Sequence, residues 1–169
     1  MGYCEFKTKE LQNDCSIFYP AKHDGSGVKG VPFLAYGKND LEGLCKVIDK
    51  DYPAIAFVAK LISRAFLTVQ VPVYKDANIA EMPMQPVVFS HGLSANRMAY
   101  SGYCMELASC GYFVITLTHN DQSAVYSPKA GFYDSQSDKY DYKIKNLQCR
   151  ARENEVLALV EEIAIPDFL

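Results

Sequence analysis

The sequence predicts an α/β fold built on a parallel sheet, and two observations predict it. Between residues 86 and 163, apolar β-prone runs alternate with helix-length stretches in the order strand, helix, strand, helix, and that order calls for parallel strands joined by right-handed crossovers. The second is composition. At 169 residues, 49% apolar and 22% charged, with 10 Gly and 8 Pro, the chain suits one domain with a core and excludes collagen-like, disordered and repeat architectures. The expectation is one domain over 1–169, comprising a hairpin at 13–36, a helix at 53–68 and the strand-helix unit at 86–163.

The hairpin rests on two β-prone runs, Cys15–Tyr19 and Val31–Tyr36, on either side of a glycine-rich turn. Gly25-Ser26-Gly27-Val28-Lys29-Gly30 fits G-x-G-x-x-G. A dinucleotide site needs a helix to open there, and Val31-Pro32-Phe33 reads as extended. A short helix is expected near 40–50, and Pro53 can open another through 54–67. In that second helix Lys60, Ser63 and Arg64 fall at i, i+3 and i+4, a narrow cationic stripe on an apolar surface that includes Phe57 and Leu61. Two readings stand open for it: a mostly buried helix with one wet edge, or a helix lying on lipid with Lys60 and Arg64 reaching for headgroups.

Val87–Phe89 is a short buried-type strand. A helix at 97–110 follows, with Tyr100, Cys104, Leu107 and Ala108 on one side and Gly111 as its stop. Tyr112–Thr118 is a nearly continuous apolar strand. After a polar loop from about 119 to 145, a last helix sets Cys149, Val156, Val160 and Ile163 along one stripe.

Several function classes drop out. A net charge of −3 with no basic run offers no counterion-displacing grip on nucleic acid, which is not expected as a partner. Residues 1–7 lack the apolar run of a signal peptide, and no stretch reaches the roughly 18 apolar residues of a spanning helix, so the expected compartment is the cytoplasm. Phe6 stands where an N-myristoylation motif wants Ser or Thr. Six dispersed cysteines without a C-x-x-C pair, beside three histidines, predict mostly reduced, buried thiols and no metal site.

The chemical signal lies in Pro86–Arg97, where a buried strand runs into His91-Gly92-Leu93 and then a helix. A strand-to-helix loop of this kind supplies a backbone N–H of the oxyanion hole in α/β-hydrolases, and glycine lets the main chain approach the developing charge. Such a turn also occurs as a purely structural one.

The run Phe89-Ser90-His91-Gly92-Leu93-Ser94-Ala95-Asn96-Arg97, with Tyr100-Ser101, Cys104–Ser109, Gly111–Val114 and His119–Ala124, resembles the platelet-activating factor acetylhydrolases, the lipoprotein-associated and intracellular type II phospholipases. The similarity is dense over 86–124 and weaker at Phe18-Tyr19-Pro20 and Gln148–Arg152. It implies an α/β-hydrolase fold and cofactor-free, calcium-independent hydrolysis of short or oxidised sn-2 acyl chains of phospholipids. It further implies that the Leu93 amide is an oxyanion donor, with His91 and Gly92 as loop residues and His91 not the triad histidine. It also raises the lipid-surface reading of Phe57, Lys60, Leu61 and Arg64.

The chain departs from that family in having Ser94-Ala95-Asn96 where Gly-Ala-Phe is usual, and Asn120 and Gln122 in place of arginines beside Asp121. More telling, no G-x-S-x-G elbow occurs in the 169 residues, so the nucleophile and the acid and base that follow it are missing. His119 and Asp121 are read as solvated or structural loop residues rather than as substitutes. The expected fold is therefore the N-terminal half of an α/β-hydrolase, stopping before the elbow strand and inactive alone. A non-catalytic lipid-surface or partner-binding module is the alternative.

Overall fold

The computed structural model describes residues 1–49, 54–55, 57, 65–133 and 141–164. The main sheet contains β1 (Gly2–Lys7), β2 (Asp14–Tyr19), β3 (Val28–Pro32), β4 (Gln70–Lys75), β5 (Gln85–Ser90) and β6 (Tyr112–Leu117). Helix α1 (Lys38–Asp49) follows β3, α2 (Ser101–Ser109) joins β5 to β6, and α3 (Tyr142–Ile163) comes last. A small hairpin, β7 (Tyr126–Ser127) with β8 (Gly131–Phe132), interrupts the loop before α3. Residues 54, 55, 57, 65 and 66 are helical within the expected 53–68 segment.

The strands run in the order β3-β4-β1-β2-β6-β5. β5 and β6 pair in parallel from Gln85 opposite Tyr112 to Ser90 opposite Leu117, as the strand-helix-strand pattern requires. The N-terminal part is mixed: β1 and β2 form an antiparallel hairpin, β2 is antiparallel to β6, and β1 is parallel to β4.

The expected hairpin at 13–36 does not form. Both of its strands exist, but β1 and β6 occupy the two edges of β2, and β3 pairs with β4 instead. The physical reason is a tighter closure nearby: Thr8 N–H donates to Asn13 O at 3.0 Å and the Asn13 amide to Thr8 Oγ1 at 2.8 Å, joining β1 to β2 through a six-residue connection. The segment 25–30 opens no helix; Gly25 and Gly27, both at positive φ, lead into β3, and Gly30, also at positive φ, sits at the irregularity within that strand between Lys29 and Val31.

Side-chain alternation along β6 divides the core. Val114 joins Tyr3, Phe18 and Val73 beneath Cys104 and Ala108 of α2. Phe113, Ile115 and Leu117 join Ile17 and Tyr19 beneath Leu159 of α3. On α3 the buried positions are Gln148, Glu155 and Leu159, about one residue round from the expected stripe, and Cys149 and Val160 are exposed. Polar bonds of the site turn the helix this way. Of the six cysteines, all free, only Cys15 and Cys104 are buried.

Candidate active site

The loop from His91 to Arg97 leaves the carboxyl end of β5, where open α/β sheets place their ligands. It is held from several sides. Ser94 N–H donates to Ser123 O at 2.8 Å and Val125 N–H to Ala95 O at 3.0 Å. Asn96 Nδ2 reaches the buried Asp40 of α1 at 2.9 Å and its Oδ1 accepts the Met98 N–H. Burial raises the Asp40 pKa despite that bond and one from the Tyr36 amide. Arg97, also buried, donates to Ser16 Oγ at 3.0 Å and to Glu5 at 2.9 Å, its guanidinium lying over the Tyr36 ring. The loop is thus pinned to β1, β2, α1 and the segment after β6.

Within it, the Leu93 side chain is exposed, and among the described residues the Gly92 and Leu93 amides have no hydrogen-bond partner. A Cβ on Gly92 would come within 2.9 Å of the Tyr100 hydroxyl, so any larger residue there would have to displace the end of that ring. Ser94 has φ +56°, the left-handed region that favours glycine, so serine carries strain here.

His91 is 2% exposed. Its Nε2 accepts the His119 backbone N–H at 3.0 Å, leaving the proton on Nδ1 to donate to Gly92 O at 2.7 Å. Burial holds its pKa down to about 4, so the ring is a neutral brace for the loop. The neighbouring ring, His119, is fully buried and bridges two elements: Nε2 lies 2.7 Å from Ser90 Oγ and Nδ1 2.6 Å from Glu155 of α3. The second Glu155 oxygen accepts the Asn120 N–H at 2.9 Å.

Asp121 is buried and structural rather than solvated. Burial pulls its pKa upward, but bonds from Ser123 and Arg152 outweigh it and hold the carboxyl below the ordinary range. Arg152 donates to Asp121 at 2.8 Å, to Ser123 Oγ and to the His91 carbonyl at 2.9 Å, so a guanidinium reaches Asp121 from α3 although Asn120 and Gln122 provide none. Sequence reasoning singled out His91, Gly92 and Leu93, set His119 and Asp121 aside as solvated or structural loop residues, and missed Ser90 and Glu155 as partners of His119. The available signal was Arg152 and Glu155 at i, i+3 on one helix face.

Of the expected lipid-surface set, Phe57 is exposed; Lys60, Leu61 and Arg64 lie outside the described residues. A cavity of about 300 Å³ lined by Lys7, Gln12, Asp14, Asn120, Pro128 and Lys129 sits beside Asn120, and His91, Gly92 and Leu93 are not among its lining residues.

Parallel β5 and β6 bridged by α2, with the His91–Arg97 loop at their carboxyl end, form part of an α/β-hydrolase fold. A ferulic acid esterase from Streptomyces cinnamoneus has the same fold, with a TM-score of 0.64 and 16% identity over 98% of this chain and 47% of that one. The family model for platelet-activating factor acetylhydrolase, isoform II, matches residues 3–164, and the chain belongs to that family. A platelet-activating factor acetylhydrolase of Cavia porcellus is 32% identical over 152 residues, which is 86% of this chain and 33% of that protein. One of Canis lupus familiaris is 31% identical over 110 residues, 64% of this chain and 23% of the other. The chain thus spans a third or less of the length of these relatives.

Proposed function

We propose that this chain provides the oxyanion-loop portion of a serine esterase acting on phospholipids with a short or oxidised sn-2 acyl chain, such as 1-alkyl-2-acetylglycerophosphocholine. The observation that carries the reading is the pinned loop itself, with the Gly92 and Leu93 amides, which have no partner among the described residues, at the carboxyl end of β5. In an acyl transfer the Leu93 N–H would stabilise the oxygen that gains charge as the carbonyl becomes tetrahedral. The donor is backbone, so the exposed side chain is free to vary. Family membership and the esterase fold support an ester-hydrolase reading, and the acetylhydrolase relatives support a phospholipid substrate.

The elbow nucleophile is not among the 169 residues, so this chain by itself does not turn over such a lipid. Incubation of the purified chain with a 2-acetyl phospholipid checks this: acetate release is expected to equal that of Leu93→Pro, and release above that control would overturn the claim.

A second reading, a lipid-surface module peripheral to membranes in the cytoplasm, is favoured by one observation. Ile55, Phe57 and Phe66, in helical residues, are 54%, 64% and 45% exposed, although no helix among the described residues is long and apolar enough to span a bilayer. Co-sedimentation with phosphatidylserine-containing liposomes that is lost in Lys60→Glu/Arg64→Glu would support it; no sedimentation would sink it.

A further inference from the structure

Ser90, His119 and Glu155 meet in an order that the elbow chemistry does not use. Glu155 is buried and accepts the Asn120 N–H through one oxygen, while its other oxygen lies 2.6 Å from His119 Nδ1. A carboxylate there accepts a hydrogen bond from Nδ1–H, which leaves Nε2 as an acceptor 2.7 Å from Ser90 Oγ. The serine hydroxyl therefore donates to the imidazole, and the imidazole donates to the acid. Ser90 is exposed, whereas His119 and Glu155 are buried. It ends β5, two and three residues before the unpartnered amides of Gly92 and Leu93.

We propose that Ser90, His119 and Glu155 form a second, independent nucleophile set, which takes up acyl groups from small activated carboxylic esters. The bond-making step is attack of Ser90 Oγ on the ester carbonyl as His119 Nε2 accepts the hydroxyl proton, with Glu155 stabilising the imidazolium. The tetrahedral oxyanion collapses, the C–O bond to the leaving group breaks, and that oxygen takes the proton from Nε2. Water then attacks the acyl-Ser90 carbonyl and gives a proton to Nε2; as the bond from the acyl carbon to Ser90 Oγ breaks, that proton passes to Oγ, which releases a carboxylic acid and restores the serine and the neutral imidazole. Ser90 is exposed and does not line the cavity beside Asn120, so the class the site takes is small aryl or alkyl esters rather than a docked phospholipid. It does not rest on the acetylhydrolase reading, which uses a different serine.

The test is to treat the full 169-residue chain with a fluorophosphonate probe and, separately, with p-nitrophenyl acetate, locating adducts by peptide mass spectrometry. A single adduct at Ser90 is expected. Ser90→Ala abolishes it, while Ser109→Ala, on the exposed end of α2, leaves it unchanged. Glu155→Gln and His119→Gln are expected to slow labelling by about 10²-fold or more, and Glu155→Gln also shifts its pH profile. Cooperative melting of each variant is the fold control. Absence of a Ser90 adduct on a cooperatively folded chain would overturn the proposal. So would labelling at the same rate in His119→Gln, the behaviour of an ordinary serine, whatever the phospholipid assay gives.

Discussion

The helices α2 and α3 cover opposite faces of one sheet and are held there differently. α2 is seated by Cys104, Ala108 and Ser101 against Phe18, Met98 and Val114, and its position follows from hydrophobic spacing. α3 is more than twice as long, yet it buries one large apolar side chain, Leu159, and leaves Leu147, Leu157 and Val160 exposed. Its middle is fixed by Glu155 to His119 and Asn120, and by Arg152 to Asp121 and the His91 carbonyl. Where a helix is docked by polar bonds, its orientation is set by the loop it serves, and the same bonds give the loop its shape.

Glu155→Ala separates the two modes most sharply. It leaves the buried His119 Nδ1–H and Asn120 N–H without acceptors, so denaturant unfolding should show a loss of about 4 kcal/mol. Leu159→Ala should cost about 3 kcal/mol through the cavity it leaves. Val160→Ala, one residue on and exposed, should cost less than about 0.5 kcal/mol. Equal effects of the last two would show that α3 sits in the orientation its apolar pattern suggests.

His91 gives the comparison a pH dependence. Its folded pKa, about 4, lies below the ordinary 6.5, so the unfolded chain takes up a proton first as pH falls. Stability from this group is complete above pH 6.5 and is lost between there and pH 4, by up to about 3 kcal/mol. In His91→Gln that part of the slope should vanish from a series of thermal melts. Ser94→Gly acts in the opposite direction: relief of the left-handed φ of +56° should raise stability by about 0.5 to 1 kcal/mol.

These contrasts also explain what could be read in the sequence. α2 was legible from its helical spacing, with Gly111 as a stop at φ +96°, and β5 and β6 as continuous apolar runs. β5, however, is not the buried strand its residues suggested, because it lies at the edge of the described sheet and has no buried residue. β1 and β4 were passed over: β1 is interrupted by the polar Glu5 and Lys7, and β4, although Val71 and Val73 alternate with exposed neighbours, takes both of its partners, β1 and β3, from distant parts of the chain. The hairpin at 13–36 failed for that reason, since strand neighbours are chosen by the whole sheet. His91-Gly92-Leu93 was legible as a local motif. The bond from His119 to Glu155 spans 36 residues, and α3 could be oriented correctly only once that acid was known to turn inward.

The most direct test of the central claim, that the Leu93 backbone is an oxyanion donor, is acetate release from a 2-acetyl phospholipid by a chimera. It joins residues 1–164 of this chain to the part of the Cavia porcellus acetylhydrolase that follows the matched region. The account predicts a rate in Leu93→Ala comparable to the parent chimera and one lower by about 10²-fold or more in Leu93→Pro. A cooperatively folded Leu93→Pro chimera that hydrolyses the lipid at the parent rate would contradict it.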